Sequence, residues 1–223
     1  MNVSSLLIVA LATGALAAQD APRLDGRFQV FAELSRPASI VVAQAPGDIS
    51  DQPRRQTGVG FRFMGEIASS PGWYYEVGGM FDGSSYFTIN NGTTLNLTDV
   101  KVTNSYWTLG AGYLGKLSPN FTWGAHLEAR GEYLRIQGEA DVNGTASQLD
   151  TTTTYLRPWL RGSIDYTITS IGQQKHPFVG FEGCFALMKT SQTKVPDFTD
   201  MDGRTLRALA PRASAALYVG LRF

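Results

Sequence analysis

The sequence predicts an all-β fold, an eight-stranded antiparallel up-and-down transmembrane β-barrel with no soluble C-terminal domain. Three observations predict it. Charge is confined to one face of eight strand-like segments, the connections between them alternate short and long, and the chain finishes on an alternating apolar run that ends in Phe223.

The segments are 27–35, 56–67, 73–82, 105–116, 121–133, 155–167, 177–188 and 209–223. Residues two apart share a face of a strand, so parity in the sequence is sidedness in space. One face carries Phe61 and Phe63, Tyr75 and Val77, Trp107, Leu109 and Tyr113, Trp123 and Leu127. The other carries Arg27, Glu33, Arg62, Glu66, Glu76, Asp82, Lys116, Glu128, Arg130, Glu132, Arg157, Arg161, Asp165, Glu182, Arg212 and Arg222, and no charge falls on the apolar face. A barrel with lipid outside and salt bridges inside has this pattern.

A soluble lipocalin-like barrel inverts the arrangement, with an apolar lumen and a wet exterior. Composition argues against it: charged residues are 17% of the chain and only five are Lys, against roughly 25% charged in ordinary soluble proteins. Apolar-face aromatics also gather at one rim, with Phe28, Trp73, Tyr75, Phe121 and Trp123 at strand starts and Tyr113, Tyr166 and Phe223 at strand ends. That is an interfacial girdle. The Gly-x-Trp that lipocalins carry near their first strand is missing.

Residues 1–18 read as a secretory signal peptide: Leu6 to Ala12 form a short apolar core, followed by Ala15-Leu16-Ala17 as a small-x-small cleavage site. Residues 19–223 form the barrel domain. No later segment approaches the ~20 continuous apolar residues of a spanning helix, so a spanning protein must be a closed barrel. A net charge of zero leaves no basic footprint for nucleic acid. The single Cys184 excludes an intramolecular disulfide, and its inward parity makes it a packing thiol.

The short connections are 68–72, 117–120 and 170–175; the long ones are 36–55, 83–104, 134–154 and 189–208. Short periplasmic turns and long outer loops alternate in this way in outer-membrane barrels. Asn91-Gly92 and Asn143-Gly144 mark hairpins in the two middle loops, since both central positions of such a turn need positive φ. A symmetric turn at 143–144 pairs residues whose numbers sum to 287, which sets Arg157 opposite Arg130. The turn at 91–92 needs a compensating β-bulge, expected between Leu97 and Ser105.

The interior then holds eight acidic and eight basic side chains plus His126. Its expected network is Glu33, Arg62, Glu66, Glu76, His126, Glu128, Arg130, Glu132, Arg157, Arg161, Asp165, Glu182 and Arg212. A lumen this narrow fills with side chains, so the network reads as a plug and not a pore. No catalytic, cofactor or metal site is expected. His126-Leu127-Glu128 has Glu where a lipid A deacylase carries Ser, and both polar residues point inward. Asp200-Met201-Asp202-Gly203 matches only part of a calcium loop.

The alternating Leu217, Val219, Leu221 and Phe223 resemble the C-terminal assembly signal of bacterial outer-membrane barrels, which implies recognition by the barrel-insertion machinery. The chain as a whole resembles the OmpA/OmpX-like family of small outer-membrane barrels. That resemblance implies a monomer among outer-membrane lipids, exported by its signal peptide, without cofactor. It also implies a role in envelope integrity or in surface interaction through the outer loops, with a host or envelope partner. The alternatives are a lipid A-modifying enzyme and a soluble lipocalin-like carrier.

Overall fold

A computed structural model describes residues 26–35, 40–43, 48–51, 56–90, 95–142, 144–168, 176–188, 193–199, 205–208 and 210–223. The expected signal peptide, the Asn91-Gly92 turn, Asn143 and the 200–203 acidic tip lie outside them. Twelve strands run in chain order: β1 (Gly26–Ser35), β2 (Ile40–Ala43), β3 (Asp48–Asp51), β4 (Gln56–Glu66), β5 (Trp73–Asn90), β6 (Leu95–Lys116), β7 (Phe121–Val142), β8 (Thr145–Thr167), β9 (His176–Ala186), β10 (Thr193–Thr199), β11 (Thr205–Ala208) and β12 (Ala213–Arg222).

Eight of them close an antiparallel barrel in the order β1-β12-β9-β8-β7-β6-β5-β4, with β1 joined again to β4. Closure runs through β1 and β12, from Arg27↔Arg222 to Ser35↔Ser214, so no edge is left in the wall. The other four form a separate sheet, β10-β11-β2-β3, built from the first and last long connections. Sequence alone shows both connections as loops. Runs of four residues such as Ile40–Ala43 are too short to show a period.

Sidedness follows the parity rule. On β7, Leu127, Ala125 and Ala129 face out while His126, Glu128 and Arg130 are buried. Leu109, Leu127, Leu156, Leu160, Ile164, Phe181 and Leu217 are each at least half exposed on the outer wall, an apolar belt for lipid. At the short-turn rim the aromatics touch: Trp73 lies 5.8 Å from Tyr113, Tyr113 5.7 Å from Trp123, Phe121 5.1 Å from Tyr166 and Phe28 4.7 Å from Phe63.

Above the belt, strands β5 to β8 continue as a paired four-stranded sheet. β7 and β8 stay in one register from Phe121↔Tyr166 to Val142↔Thr145, the sum of 287 that the 143–144 turn predicts, and Gly144 has φ +82°. The β5–β6 ladder differs from expectation. It slips between Met80↔Tyr106 and Gly83↔Asn104, with the extra residue on β5, and again between Phe87↔Val100 and Ile89↔Leu97, with the extra residue on β6. The second lies inside the expected window, but the two offset one another. The pair Asn90↔Asn96 therefore has the same register as the barrel below, and the symmetric 91–92 pairing is not formed.

The β4–β5 ladder ends at Thr57↔Ser84, so among the described residues β5 beyond Ser84 pairs only with β6. The β8–β9 ladder ends at Trp159↔Ala186. Pro158 explains that end: its carbonyl accepts from Leu187 N–H at 2.9 Å on the β9 side, and it has no N–H to return.

Candidate functional site

The lumen is the most chemically dense part of the molecule. Its charges sit on facing strands because parity turns them inward. Their room comes from glycines directly across the ladder: Gly78 opposite Arg62, Gly112 opposite His126 and Gly110 opposite Glu128. A Cβ at Gly112 would lie 2.3 Å from His126 Nδ1, and one at Gly110 would lie 2.6 Å from the Leu127 carbonyl.

At the short-turn end Arg27 donates to Asp165 at 2.8 Å and lies over the Phe178 ring at 4.1 Å. In the middle Arg62 Nη1 donates to both Glu182 carboxylate oxygens, at 2.8 and 3.1 Å, and Nη2 lies 3.7 Å from Glu128. Arg161 contacts Glu76, Glu128 and Glu182. His126 Nδ1 is 3.2 Å from Glu76.

Higher up, Arg130 donates to Glu128 at 2.9 Å and lies 3.7 Å from Glu33, which accepts from Tyr106 Oη–H at 2.6 Å. Arg130 is also sandwiched between Tyr106 and Trp159, each ring 4.3 Å away. Arg157 donates to Glu132 at 2.9 Å, and Trp159 Nε1–H donates to the other Glu132 oxygen at 2.7 Å. The Arg157 guanidinium also reaches the carbonyls of Met188 (3.5 Å) and Pro211 (2.7 Å), on either side of the last long connection.

An apolar cluster of Phe31, Met80, Tyr106, Phe178, Ala216 and Tyr218 shares the lumen. Further out on the inner face, Val100, Val102, Leu134, Ile136 and Leu149 are buried.

Two expected members stand apart. Glu66 is half-buried at the short-turn mouth, where it accepts the Gly72 N–H at 2.9 Å. Arg212 is exposed, 5.6 Å above the Phe185 ring. It precedes β12, which starts at Ala213 and not at Leu209, so strand parity no longer sets its direction. Lys116 is exposed and Arg222 half-buried at the same mouth as Glu66. Among the described residues the buried lumen therefore holds five arginines (27, 62, 130, 157, 161) and six carboxylates (33, 76, 128, 132, 165, 182), not eight of each. Leu217, Val219, Leu221 and Phe223 all lie exposed on the outer wall at the end of the chain.

The aromatic partners Tyr106, Trp159 and Tyr218 were missed as polar participants. Tyr106 and Tyr218 share the even parity of the charges on β6 and β12, and Trp159 the odd parity of those on β8. That parity was the available signal.

No protein-family model matches the chain, and no curated protein matches its sequence. Solved structures do match its fold. The chain is similar to the outer membrane protein OprG from Pseudomonas aeruginosa, with 11% identity and a TM-score of 0.53 over 90% of this chain and 96% of that one. It is also similar to the outer membrane protease OmpT from Escherichia coli, with 8% identity and a TM-score of 0.50 over 91% and 97%. At these identities the likeness is one of fold: an outer-membrane-type β-barrel.

Proposed function

We propose that this chain is a monomeric barrel of a Gram-negative-type outer membrane, closed inside by its own ion pairs, which acts through its outward sheets in surface interaction while adding to envelope integrity. The observation that carries this reading is the continuation of β5 to β8 as a paired sheet beyond the lipid belt, with the β5 edge past Ser84 unpaired by β4. An open strand edge can take up an extended partner by main-chain pairing. Tyr86 stands 60% exposed beside it and offers apolar grip. The apolar outer wall and aromatic rim support the membrane placement, and the exposed 217–223 alternation supports handling by the insertion machinery.

A catalytic role draws no support from His126. It is buried against Glu76, and its neighbour Leu127 faces the lipid side instead.

Replacing residues 83–104 by a short turn tests the reading in cells. Gly83 and Asn104 are directly paired, so the cut joins facing positions. The variant is expected to fractionate with the outer membrane and keep a heat-modifiable gel band while losing cell-surface binding. Because the deletion uncovers Leu134 and Ile136 on β7, Tyr86→Glu, which alters only an exposed position, is run beside it. Unchanged adhesion in both folded variants would sink the adhesive reading, and recovery in the soluble periplasm would sink the membrane one.

The closed lumen makes a separate prediction. Reconstituted protein gives no sustained conductance in a planar bilayer, because Arg62, Arg161, Glu128 and Glu182 cross-link opposite walls. Stable single-channel steps that vanish on changing Arg161 or Glu128 would make it a channel.

A further inference from the structure

We propose that Arg212 and the wall beneath it bind one anionic, phosphate-headed lipid of the outward leaflet. The wall has an uneven top. Strands β5 to β8 rise past the apolar belt, whereas the β8–β9 ladder ends at Trp159↔Ala186 and the β9–β12 ladder at Phe185↔Ala213. Arg212 stands on this low rim, exposed, with its guanidinium 5.6 Å over the Phe185 ring. Phe185 is itself 49% exposed on the outer wall, so the cation lies on the face that meets lipid.

Its height suits a headgroup. Arg212 precedes Phe223, at the short-turn rim, by eleven residues. At about 3.3 Å per residue and a tilt of about 40° that is about 28 Å, just above an apolar band of about 25 Å. A guanidinium at the edge of the band is tolerated, whereas one at its middle is not.

The backbone that carries Arg212 is fixed from both sides. Its carbonyl accepts the Ala186 N–H at 2.9 Å, and the Leu187 N–H donates to the Pro158 carbonyl at 2.9 Å. From the lumen, Arg157 donates to the carbonyls of Pro211 at 2.7 Å and Met188 at 3.5 Å. The bend is thus anchored to the ion-pair network, and a ligand meets a cation whose backbone is already ordered.

Below Phe185 the same face dips. Two residues down β9 lies Gly183, paired directly with Gly162 on β8 and Ala215 on β12. A Cβ at Gly162 or Gly183 would meet nothing within 4 Å among the described residues. Leu160, directly opposite Phe185, and Leu187 stand about half exposed beside the dip. A phosphate-headed lipid uses both features. The guanidinium fork matches two phosphate oxygens, and an acyl chain fills the apolar dip beneath. A soluble anion would use only the first. The site rests on the membrane placement proposed above.

Native mass spectrometry of the full chain tests it. Protein refolded in neutral detergent, with folding verified by heat-modifiable mobility, is given phosphatidylglycerol and phosphatidylcholine in equal amounts. Wild type is expected to retain one phosphatidylglycerol in preference to phosphatidylcholine. Arg212→Gln weakens that retention about tenfold or more, the worth of a charge-assisted contact. Gly183→Leu, which fills the dip at an exposed position, weakens retention of the dioleoyl lipid and spares the dihexanoyl form. Arg135→Gln, at an exposed outward arginine on β7, changes neither.

Equal retention of the two lipids by wild type, or equal retention by wild type and folded Arg212→Gln, overturns the site. Release of the lipid by inorganic phosphate at matched ionic strength makes a soluble ion the occupant and overturns the lipid reading. If Arg212→Gln does not refold, Gly183→Leu decides, and unchanged dioleoyl retention by that folded variant overturns the site. Recovery of the protein in the soluble periplasm would undo the membrane placement and leave these detergent measurements standing.

Discussion

Glu128→Ala is expected to lower the unfolding free energy of the barrel by about 3–5 kcal/mol, the cost of removing one partner of a buried charge cluster. Glu128 touches three arginines, 62, 130 and 161, and accepts from Thr108 at 3.2 Å. Truncation leaves three guanidiniums around a void, with Glu182 and Glu76 alone to balance Arg62 and Arg161. Glu128→Gln keeps the volume and an acceptor for Thr108 and loses less. Asp150→Asn at the exposed Arg135–Asp150 pair is the control, since solvent-screened pairs contribute little. Urea unfolding in lipid vesicles, followed by tryptophan fluorescence, measures all three. Equal losses in the lumen and at the surface pair would refute the view that the network holds the barrel together.

Leu127→Arg is expected to cost about 2–4 kcal/mol of insertion free energy, because it sets a guanidinium on the lipid face near the middle of the belt. Leu127 is 56% exposed and directly opposite Leu160, itself 50% exposed. The double substitution of both by Arg puts like charges side by side and costs more than the sum. Leu127→Phe keeps the surface apolar and should insert normally. Folding yield into vesicles reads the difference. Similar yields for Arg and Phe would mean that this wall does not meet lipid.

Most of the barrel was legible because parity is a physical variable. Period-two alternation assigned His126, Glu128 and Arg130 inward and Leu127 outward, and the Asn-Gly turn fixed the β7–β8 register. Legibility ended where alternation does. Arg212 lies in a bend before its strand, so the parity count assigned it to the wrong side. Glu66, Lys116 and Arg222 have inward parity but sit at the mouth, since parity tells side and not depth. Strands β2, β3 and β11 have four residues each, too few to show a period, and the seven of β10 are interrupted by Pro196. The glycines opposite Arg62, His126 and Glu128 were readable in principle, but only with the register in hand, because the signal lies across the ladder and not along the chain.

The two register slips in the β5–β6 hairpin bear on how such a protein changes length over generations. In a regular stretch such as Tyr106 to Lys116, loss of one codon turns every later side chain to the opposite face and so drops charges into lipid. A bulge already holds one residue more than its partner strand. Losing one residue at 81–82, or at 98–99, heals the ladder locally and leaves the sidedness on either side of it intact. Single-residue gaps among descendants of this chain should therefore collect at these two places, while the belt portions of the two strands on the barrel side of them, 73–80 and 106–116, keep a constant length.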